Sequence, residues 1–310
     1  MKGNGFVDVI IPVYRPDEKL PKLIEKLNTQ TVQPKHVFFM HTLTGTGEDK
    51  KVREILKRAE HSVITSIERS EFDHGGTRNR AAAMSEAEFM LFLTQDVVPE
   101  DNCLIEILLN EMQRESVAIA YGRQLAGHKV GIIEQYTRNF NYPRKGYVKS
   151  KQDLKKLGIK TFFCSNACAM YRHSVYDQLG GFVLHTIFNE DMIMAAGVIR
   201  AGYEISYAAA AKVEHAHHYT YRQQFSRNFD LAVSQRQYRE VFEGIRSESE
   251  GIRLVKQTAA FLLKKGKWYL LPDLVLQSGF KYMGFFFGKR YDRLPKRLVR
   301  RFSMNKAYWE

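Results

Sequence analysis

Short apolar runs alternate with amphipathic stretches along the first third of the chain. The run at 7–13 is bounded by a glycine and by Pro16, which is typical of a buried strand. Residues 17–30 then carry apolar side chains at the spacing of a helix that buries one face. The pattern repeats in three further segments, a strand at 36–42, a helix at about 50–59 and a strand at 62–68. This alternation predicts an α/β fold with a mainly parallel sheet flanked by helices.

A charged cluster surrounds two adjacent glycines in EFDHGGTRNRAAA, residues 71–83. One glycine would suffice for a turn, so we interpret the pair as a place where the backbone comes close to a ligand. The letters TRNRAAAMSEA predict a helix that begins near Thr77, with free N–H groups for an anion. The strand EFMLFLTQD ends at Asp96, and open parallel sheets bind ligands outside the carboxyl ends of their strands. We therefore expect Asp96 and the loop at Asp73 to meet in one crevice.

The middle of the chain predicts a second set of elements. The stretch TFFCSNACAMYRHSVYDQLGGF predicts a strand, a short helix and a stop at two glycines. Asn189 is placed to cap a helix that Gly202 ends, and EISYAAAAKVEHAHHY predicts a strand that closes on a histidine cluster. Beyond about Tyr219 the pattern becomes mainly helical. We therefore divide the chain into a domain at 1–218 and a helical, basic region at 219–310.

The 47 lysines and arginines exceed the 34 aspartates and glutamates, which gives a net charge of +13. Such a balance predicts anionic partners: nucleic acid, an anionic membrane face or phosphorylated substrates. Much of the excess follows Lys256. The apolar stretch 268–288 is interrupted by Pro272, Asp273 and Lys281, so it does not predict a spanning helix.

Two interpretations of this basic tail stay open. As a membrane surface, it would offer Phe285–Phe287 to the bilayer boundary and its arginines to anionic headgroups, which suits a lipid-linked acceptor. Alternatively, the phenylalanines pack inside a helical subdomain or across an oligomer interface.

Cysteine content and the first residues bear on location. Three cysteines form no even set, which favours a reducing compartment. Cys164 and Cys168 could suggest a metal, but further ligands at matching spacing are missing from the sequence and the surrounding alternation is typical of a strand, so we expect buried thiols. The chain begins with a strand and not with a charged segment and a long apolar run, so no secretory signal is predicted and we expect a cytoplasmic protein.

Motifs of several familiar enzyme classes are missing from the sequence. GTGEDKK lacks both the Gly-Lys-Ser/Thr ending of a P-loop and the third glycine of a dinucleotide fingerprint, and no Gly-x-Ser-x-Gly occurs. These features count against ATP hydrolysis, NAD chemistry and serine hydrolysis. What remains is a set of acids and histidines at predicted strand and helix ends: Asp73, Asp96, Glu190, Asp191, His215, His217 and His218.

These acids and histidines allow two kinds of chemistry. Carboxylate and imidazole groups together suit a divalent cation such as Mn²⁺, which would hold a diphosphate. Asp191 lies in the first turn of its predicted helix, where we expect the macrodipole to keep the carboxylate ionised. Facing a sugar, that carboxylate could take the proton of an incoming hydroxyl. The alternative is that Asp96 and the pair Glu190 and Asp191 only cap helices, and that the histidines are ordinary surface residues.

The motifs VIIPVYRP, FDHGGTRN, FLTQDVVP, YGRQ, FNYP, FFCSNACAMYR, LGGF and NED occur in this order. Together they resemble the family 2 inverting glycosyltransferases of GT-A fold, over roughly the first two-thirds of the chain. More narrowly, they are similar to rhamnosyltransferases that build rhamnose-containing bacterial cell-surface polysaccharides, as is the tail LPKRLVRRFSM. The resemblance implies a GT-A domain at 1–218, a dTDP-β-L-rhamnose donor and a divalent metal, Mn²⁺ or Mg²⁺, near its diphosphate. We expect a lipid-linked saccharide acceptor and the cytoplasmic face of the inner membrane as location, and a homo-oligomer is a further option.

The resemblance also assigns roles to residues. Asp96 binds the metal, with His215 as the later ligand or His217 in its place. Asp191 is the general base, with Glu190 beside it, in a single displacement that inverts the anomeric configuration. The donor-binding residues that it implies are Pro12, Tyr14, Asp73, Arg78, Gln95 and Asp96.

Two positions depart from the family pattern. The usual acidic triplet here reads Thr94-Gln95-Asp96, which leaves one carboxylate for the metal. The second strand ends in His41-Thr42, where many relatives carry an aspartate that reads the base, so a UDP-hexose donor is an alternative to dTDP-rhamnose. A nucleic-acid-binding protein is a further alternative, which accounts for the basic tail but leaves Asp96 and the other clustered acids unexplained.

Overall fold

The computed structural model describes residues 6–127, 130–216, 219–245 and 248–309. In these residues nine strands form one mixed sheet. The strands are β1 (Val7–Val13), β2 (His36–Thr42), β3 (Ser62–Ile67), β4 (Phe89–Leu93), β5 (Val98–Pro99), β6 (Val117–Leu125), β7 (Tyr147–Lys149), β8 (Cys168–Arg172) and β9 (Glu204–Glu214). The helices are α1 (Lys19–Asn28), α2 (Glu48–Leu56), α3 (His74–Ala82), α4 (Leu104–Met112), α5 (Ile132–Asn141), α6 (Leu154–Leu157), α7 (His173–Gln178), α8 (Glu190–Arg200), α9 (Tyr221–Gln237), α10 (Arg239–Phe242), α11 (Glu248–Lys264), α12 (Leu271–Gly288) and α13 (Lys296–Phe302).

The sheet has the strand order β3-β2-β1-β4-β8-β6-β9-β5, and β7 also pairs with β9. Strands β1 to β4 are parallel to one another, as the alternating pattern predicted. β8 runs antiparallel to both β4 and β6, whereas β6 and β9 are parallel. Because β2 lies on one side of β1 and β4 on the other, the strand order reverses there and opens a crevice at the carboxyl ends of β1 and β4.

Side chains of β1 alternate between two hydrophobic cores. Val9 and Ile11 pack with the apolar face of α1, while Ile10 packs with Phe38 and Phe92 on the other side of the sheet. A strand buried on both faces reads as an unbroken apolar run, which is why the sequence predicts it to the residue. The expected burial of Cys164 and Cys168 is also confirmed, and burial raises the pKa of each thiol to about 12.

The strand predicted to begin near Thr161 begins at Cys168 instead. Residues Gly158–Phe162 form a 3₁₀ turn, and Lys149, whose side chain is fully buried, donates hydrogen bonds to the carbonyls of Lys160 and Phe163. These bonds hold the segment before β8 in a turn, so its apolar residues do not continue the strand.

The chain after β9 is helical in the described residues, as predicted. Helices α9 and α12 pack along each other through two glycines one turn apart: a Cβ added at Gly284 would lie 2.2 Å from the carbonyl oxygen of Phe225, and one at Gly288 would lie 2.3 Å from that of Phe229. Only glycine allows the two backbones to come this close. Phe287 packs against Phe225, so the expectation that Phe285–Phe287 all face a bilayer is wrong for this residue.

No helix in the described part of the chain combines the length and the apolar character that crossing a bilayer requires.

The glycine contact predicts unequal effects of the same substitution on one helix. Gly284→Ala should lower the free energy of unfolding by about 1–3 kcal/mol, because the added methyl group must push α12 away from α9. Gly279→Ala is the matched control: Gly279 lies on the same helix with no atom within 4 Å of an added Cβ. There, the better helix propensity of alanine should leave stability unchanged or raise it by up to ~1 kcal/mol. Thermal unfolding followed by circular dichroism measures both, and equal midpoints for the two variants would contradict the packing described.

Candidate active site

The carboxyl ends of β1 and β4 are joined by one side chain. Gln95 accepts a hydrogen bond from the backbone N–H of Tyr14 at 2.8 Å and donates one to the carbonyl of Tyr14, also at 2.8 Å. A carboxylate here could not donate to that carbonyl, which gives a physical reason for glutamine at the middle position of Thr94-Gln95-Asp96. Gln95 thus fixes Asp96 beside the end of β1, where Pro12 pairs with Met40 of β2.

Asp96 faces His215, the residue that follows β9. The distance from Asp96 Oδ2 to His215 Nε2 is 3.3 Å, and His215 Nδ1 lies 2.8 Å from Gln124 Oε1. Arg138 also donates to Gln124 Oε1, at 2.6 Å, and Gln124 Nε2 donates to Ser165. An arginine has only donors, so the Gln124 atom that faces it must be the oxygen, and His215 must carry a proton on Nδ1. His215 Nε2 is therefore the nitrogen directed at Asp96.

These residues fit a divalent cation. A metal-binding histidine usually donates its second N–H to an oxygen, as His215 does to Gln124. Asp96 and His215 could supply two ligands, and Mg²⁺ and Mn²⁺ commonly complete their coordination with water and phosphate oxygens. Within the described residues no group of three or more His, Cys, Asp or Glu side chains is arranged for a metal. The other predicted ligand, His217, lies outside the described residues.

The two acids at the start of α8 share one partner that sequence reasoning missed. The backbone N–H of Asn166 donates to Asp191 Oδ2 at 3.3 Å, and the side-chain amide donates to Glu190 Oε1 at 3.2 Å. Tyr171 donates to the other side-chain atom of Asn166, at 2.7 Å, and fixes its orientation. Asn166 is buried, and in the sequence it lies between Cys164 and Cys168. An amide side chain in this largely apolar stretch was the signal that could have identified it.

Asn189 occupies the N-cap position but does not cap. Its backbone is left-handed, with φ of +66°, and its side chain donates to the carbonyl of Leu231 at 3.1 Å. The prediction of a capping side chain is therefore wrong, because an αL residue at this position directs the amide away from the helix N–H groups. Asparagine tolerates this conformation better than most residues, and the turn it makes positions Glu190 and Asp191.

The two acids differ in ionisation. Burial and then the negative charge of Glu190 raise the pKa of Asp191 to about 7. Burial acts on Glu190 too, but the guanidinium of Arg78, 3.4 Å from Glu190 Oε1, holds the pKa of Glu190 below its ordinary value. The sequence predicted an Asp191 kept ionised by the macrodipole. Instead its pKa is raised to about 7, because burial and a neighbouring charge outweigh the partial charge of a helix end.

The glycine pair serves a contact within the chain. Helix α3 begins at His74, three residues before the predicted start, because Asp73 caps it: Asp73 Oδ1 accepts from the N–H of Gly76 at 2.6 Å. A Cβ added at Gly75 would lie 2.0 Å from the carbonyl oxygen of Val183. The close approach that Gly75 permits is thus to the loop before α8, a contact that the sequence did not predict.

Asp73 and Arg78 connect this loop to the two acids. Asp73 Oδ2 accepts from the backbone N–H of His185 at 2.9 Å, so one carboxylate holds α3 and the loop together. Arg78 is buried, donates to the carbonyl of His74 at 2.7 Å and contacts Glu190. A chain of contacts therefore runs from the start of α3 through Arg78 and Glu190 to Asn166.

An aspartate does stand at the end of β2, although the strand itself supplies none. Asp49 of α2 lies 3.6 Å from the buried His41, measured from Asp49 Oδ1 to His41 Nε2. Its carboxylate accepts hydrogen bonds from the backbone N–H groups of Thr44, Gly45 and Thr46. Burial lowers the pKa of His41, so this histidine is neutral at pH 7.

The sequence matches a protein-family model described as glycosyl transferase family 2 over residues 8–180, more than half of the chain. The chain therefore belongs to glycosyl transferase family 2, as its motifs predicted, and it is a glycosyltransferase. This class of enzyme accounts for the clustered acids, which the nucleic-acid-binding alternative left unexplained.

Two similar proteins align over nearly the whole chain. The O-antigen chain rhamnosyltransferase WbaN of Salmonella anatum is 40% identical over 306 residues, which covers 97% of this chain and 95% of that protein. The O-antigen chain rhamnosyltransferase RfbN of Salmonella typhimurium is 38% identical over 307 residues, covering 98% and 96%. The resemblance stated from the motifs is thereby confirmed, and these alignments extend past the family match to Asp191 and His215.

Solved structures show the same fold at low identity. A mannosyltransferase from Pyrobaculum calidifontis, in complex with GDP-Man and Mn²⁺, aligns with a TM-score of 0.57 at 13% identity, covering 98% of this chain and 84% of that one. Staphylococcus aureus TarS 1–349, in complex with UDP-GlcNAc, aligns with a TM-score of 0.56 at 12% identity, covering 93% and 91%. The predicted GT-A fold is confirmed.

Proposed function

We propose that this glycosyltransferase moves L-rhamnose from dTDP-β-L-rhamnose to a hydroxyl of a lipid-linked saccharide, with inversion, in the synthesis of a bacterial cell-surface polysaccharide such as O antigen. The choice of rhamnose as the donor sugar rests on the near-complete alignment with two proteins named O-antigen chain rhamnosyltransferases. The observation that supports the chemistry is the pair of unequally ionised acids at the start of α8.

Asp191 is proposed as the general base. In a single displacement the acceptor oxygen bonds to the anomeric carbon while the bond from that carbon to the diphosphate breaks, and the acceptor proton passes to Asp191. A base with a pKa near the working pH combines a useful ionised fraction with good proton affinity. Hydrogen bonds from the backbone N–H groups of Met192, at 2.7 Å, and Asn166 hold the carboxylate in place.

Glu190 is proposed to act through Asp191 and not on the substrate. Arg78 and Asn166 keep Glu190 ionised, and its negative charge raises the pKa of its neighbour. Without that charge Asp191 would be a weaker base, because its proton affinity would fall toward that of an ordinary aspartate.

Asp96 and His215 are the residues proposed to hold a divalent cation, Mn²⁺ or Mg²⁺, with His217 as a further candidate. Such a cation, when bound, would neutralise charge on the departing diphosphate. Gln124 accepts the proton of His215 Nδ1 in a hydrogen bond, which orients the ring so that Nε2 is directed at the proposed cation site.

Donor contacts are proposed for the residues at the same edge of the sheet. Pro12, Tyr14 and Asp73 would border the nucleoside, and Gln95 would position Asp96. Arg78 would supply positive charge for the diphosphate. A UDP-hexose is the second candidate donor, since β2 ends in His41-Thr42 and not in an aspartate. The proposed place of work is the cytoplasmic face of the membrane, where a lipid-linked acceptor is held. Self-association into a homo-oligomer is part of the same proposal.

Donor choice and metal use are tested together by nucleotide release. We expect the wild type to release dTDP from dTDP-rhamnose with Mn²⁺ or Mg²⁺, and to release no nucleotide from UDP-glucose, UDP-galactose or UDP-GlcNAc or in the presence of EDTA. Asp96→Ala should abolish release, and Gln124→Leu should weaken Mn²⁺ binding about 10- to 100-fold, read from free Mn²⁺ by electron paramagnetic resonance in the presence of dTDP.

Two results would count against this proposal. Release from a UDP-sugar alone would keep the enzyme class and overturn rhamnose as the donor. Undiminished release in EDTA would show that the reaction needs no divalent metal. Glu100→Ala serves as control, because Glu100 pairs with Lys212 at the surface and should leave Mn²⁺ binding unchanged.

The pH dependence of transfer tests the base. Since Asp191 must be ionised to accept the proton, kcat/KM should rise with pH and level off above about pH 7. Asp191→Asn should lower kcat by roughly 10²- to 10⁴-fold. Glu190→Gln should move the rising limb to lower pH, because a negative neighbour is removed; a merely structural Glu190 would change the rate without moving the limb. Near-normal turnover in Asp191→Asn would show that another group is the base.

A further inference from the structure

Helix α12 is apolar on two faces, and the fold uses only one of them. The inner face lies against α9 through Gly284 and Gly288, and Leu274 is buried beneath α11. Phe280 stacks on Tyr221 of α9 with ring centroids 5.5 Å apart. These contacts fix the rotation of α12 about its axis, and they determine which side chains point outward.

The outer face of α12 consists of large apolar side chains that remain exposed. Their exposed fractions are 66% for Val275, 49% for Leu276, 68% for Tyr282, 49% for Met283 and 38% for Phe286. Positions three, four, seven and eleven residues apart lie on one side of a helix, so these residues form a continuous stripe. From Val275 to Phe286 the stripe runs for about 17 Å along the helix. An apolar surface of this length on an otherwise water-facing region indicates a contact site.

Aromatic and cationic groups stand at both ends of the stripe. Trp268 and Tyr269, which precede α12, are 67% and 57% exposed. At the other end the guanidinium of Arg290 lies 3.9 Å from the ring centre of Phe286. Further exposed cations follow or precede the helix: Lys264, Lys265, Arg293, Lys296, Arg297, Arg300 and Arg301.

Acidic groups do not balance these cations. Between 256 and 309 the sequence contains only Asp273 and Asp292 as acids. Asp273 accepts a hydrogen bond from Tyr221, and Asp292 pairs with Arg236 at 3.0 Å. The segment 256–309, which carries the stripe, is therefore strongly positive, and the partner that complements it must be apolar in its centre and negative at its border.

We propose that the outer face of α12 is the surface by which this chain lies on an anionic lipid bilayer, with the stripe at the acyl boundary and the cations among the headgroups. Trp and Tyr side chains favour this depth, and Lys and Arg add attraction to anionic lipids. A second copy of the chain is a poorer occupant, since it would bring two positive surfaces together. Phe286 belongs to this face, while Phe287 belongs to the core of the helical region. The biological setting rests on the proposed function, but the contact itself requires neither donor nor acceptor.

Sedimentation with lipid vesicles tests the proposal on the full chain without any substrate. The wild type should bind vesicles of phosphatidylcholine and phosphatidylglycerol, bind pure phosphatidylcholine much less, and lose binding as salt is raised. The double variant Val275→Ser, Tyr282→Ser should lower the partition coefficient on the order of tenfold or more, because two large apolar side chains no longer insert. The control is Phe6→Ser, Met84→Ser, which removes two exposed apolar side chains from the first domain and should leave binding unchanged.

Three outcomes would overturn the proposal. The face variant could bind as well as the wild type, or both variants could lose binding equally. The third is a wild type that is dimeric without vesicles and becomes monomeric in the face variant, which would assign the stripe to a contact between copies. Circular dichroism and donor-dependent nucleotide release confirm that each variant is folded, and because release is measured separately, failure of the membrane contact is distinguishable from failure of the proposed transfer.

Discussion

Two adjacent carboxylates at the start of a helix cannot both be ionised at low cost when they are buried, and the candidate active site is organised around this constraint. Arg78 and the amide of Asn166 compensate the charge of Glu190. Among the residues that the structure describes, Asp191 accepts hydrogen bonds only from the backbone N–H groups of Asn166 and Met192. One acid is therefore held as an anion, and its neighbour is left with a pKa of about 7. The left-handed backbone of Asn189, which costs on the order of 1 kcal/mol, places the pair where this division can occur.

The rest of the site follows from where the sheet ends. β1 and β4 are neighbours with their connections on opposite sides, so their carboxyl ends open one crevice. Gln95, which follows β4, is hydrogen-bonded to the backbone at the end of β1. The parallel pairing of β6 with β9 brings His215 to Gln124 and Asp96. The site thus has a rigid side built on strands and a second side built on the loop that Asp73 and Gly75 anchor. Supporting residues of this kind fix reacting groups more firmly than loops alone.

The sequence predicted what depends on neighbours along the chain and missed what depends on distant partners. β1 was predicted to the residue because it is a mainly apolar run bounded by glycine and proline, and the bounds of β2 were also predicted correctly. The meeting of Asp96 with His215 was foreseeable because both follow strands whose ends share one edge. By contrast, the role of Gly75 depends on Val183, and the early start of α3 depends on the Asp73 side chain. The ionisation of Asp191 could not be predicted from a helix position, because it depends on burial and on Arg78 holding Glu190 ionised.

The central claim is that Asp191 changes its ionisation near neutral pH while Glu190 stays charged. Infrared difference spectroscopy of protein with isotope-labelled aspartate, titrated with pH, measures this directly. Burial also raises the pKa of Asp230, to about 6, so the wild type must be compared with Asp191→Asn. The account predicts a protonated-carboxyl band that disappears with a midpoint near pH 7 and is missing from Asp191→Asn. If the wild type and Asp191→Asn gave the same spectra at every pH above the ordinary pKa range of aspartate, about 4, the account would be contradicted.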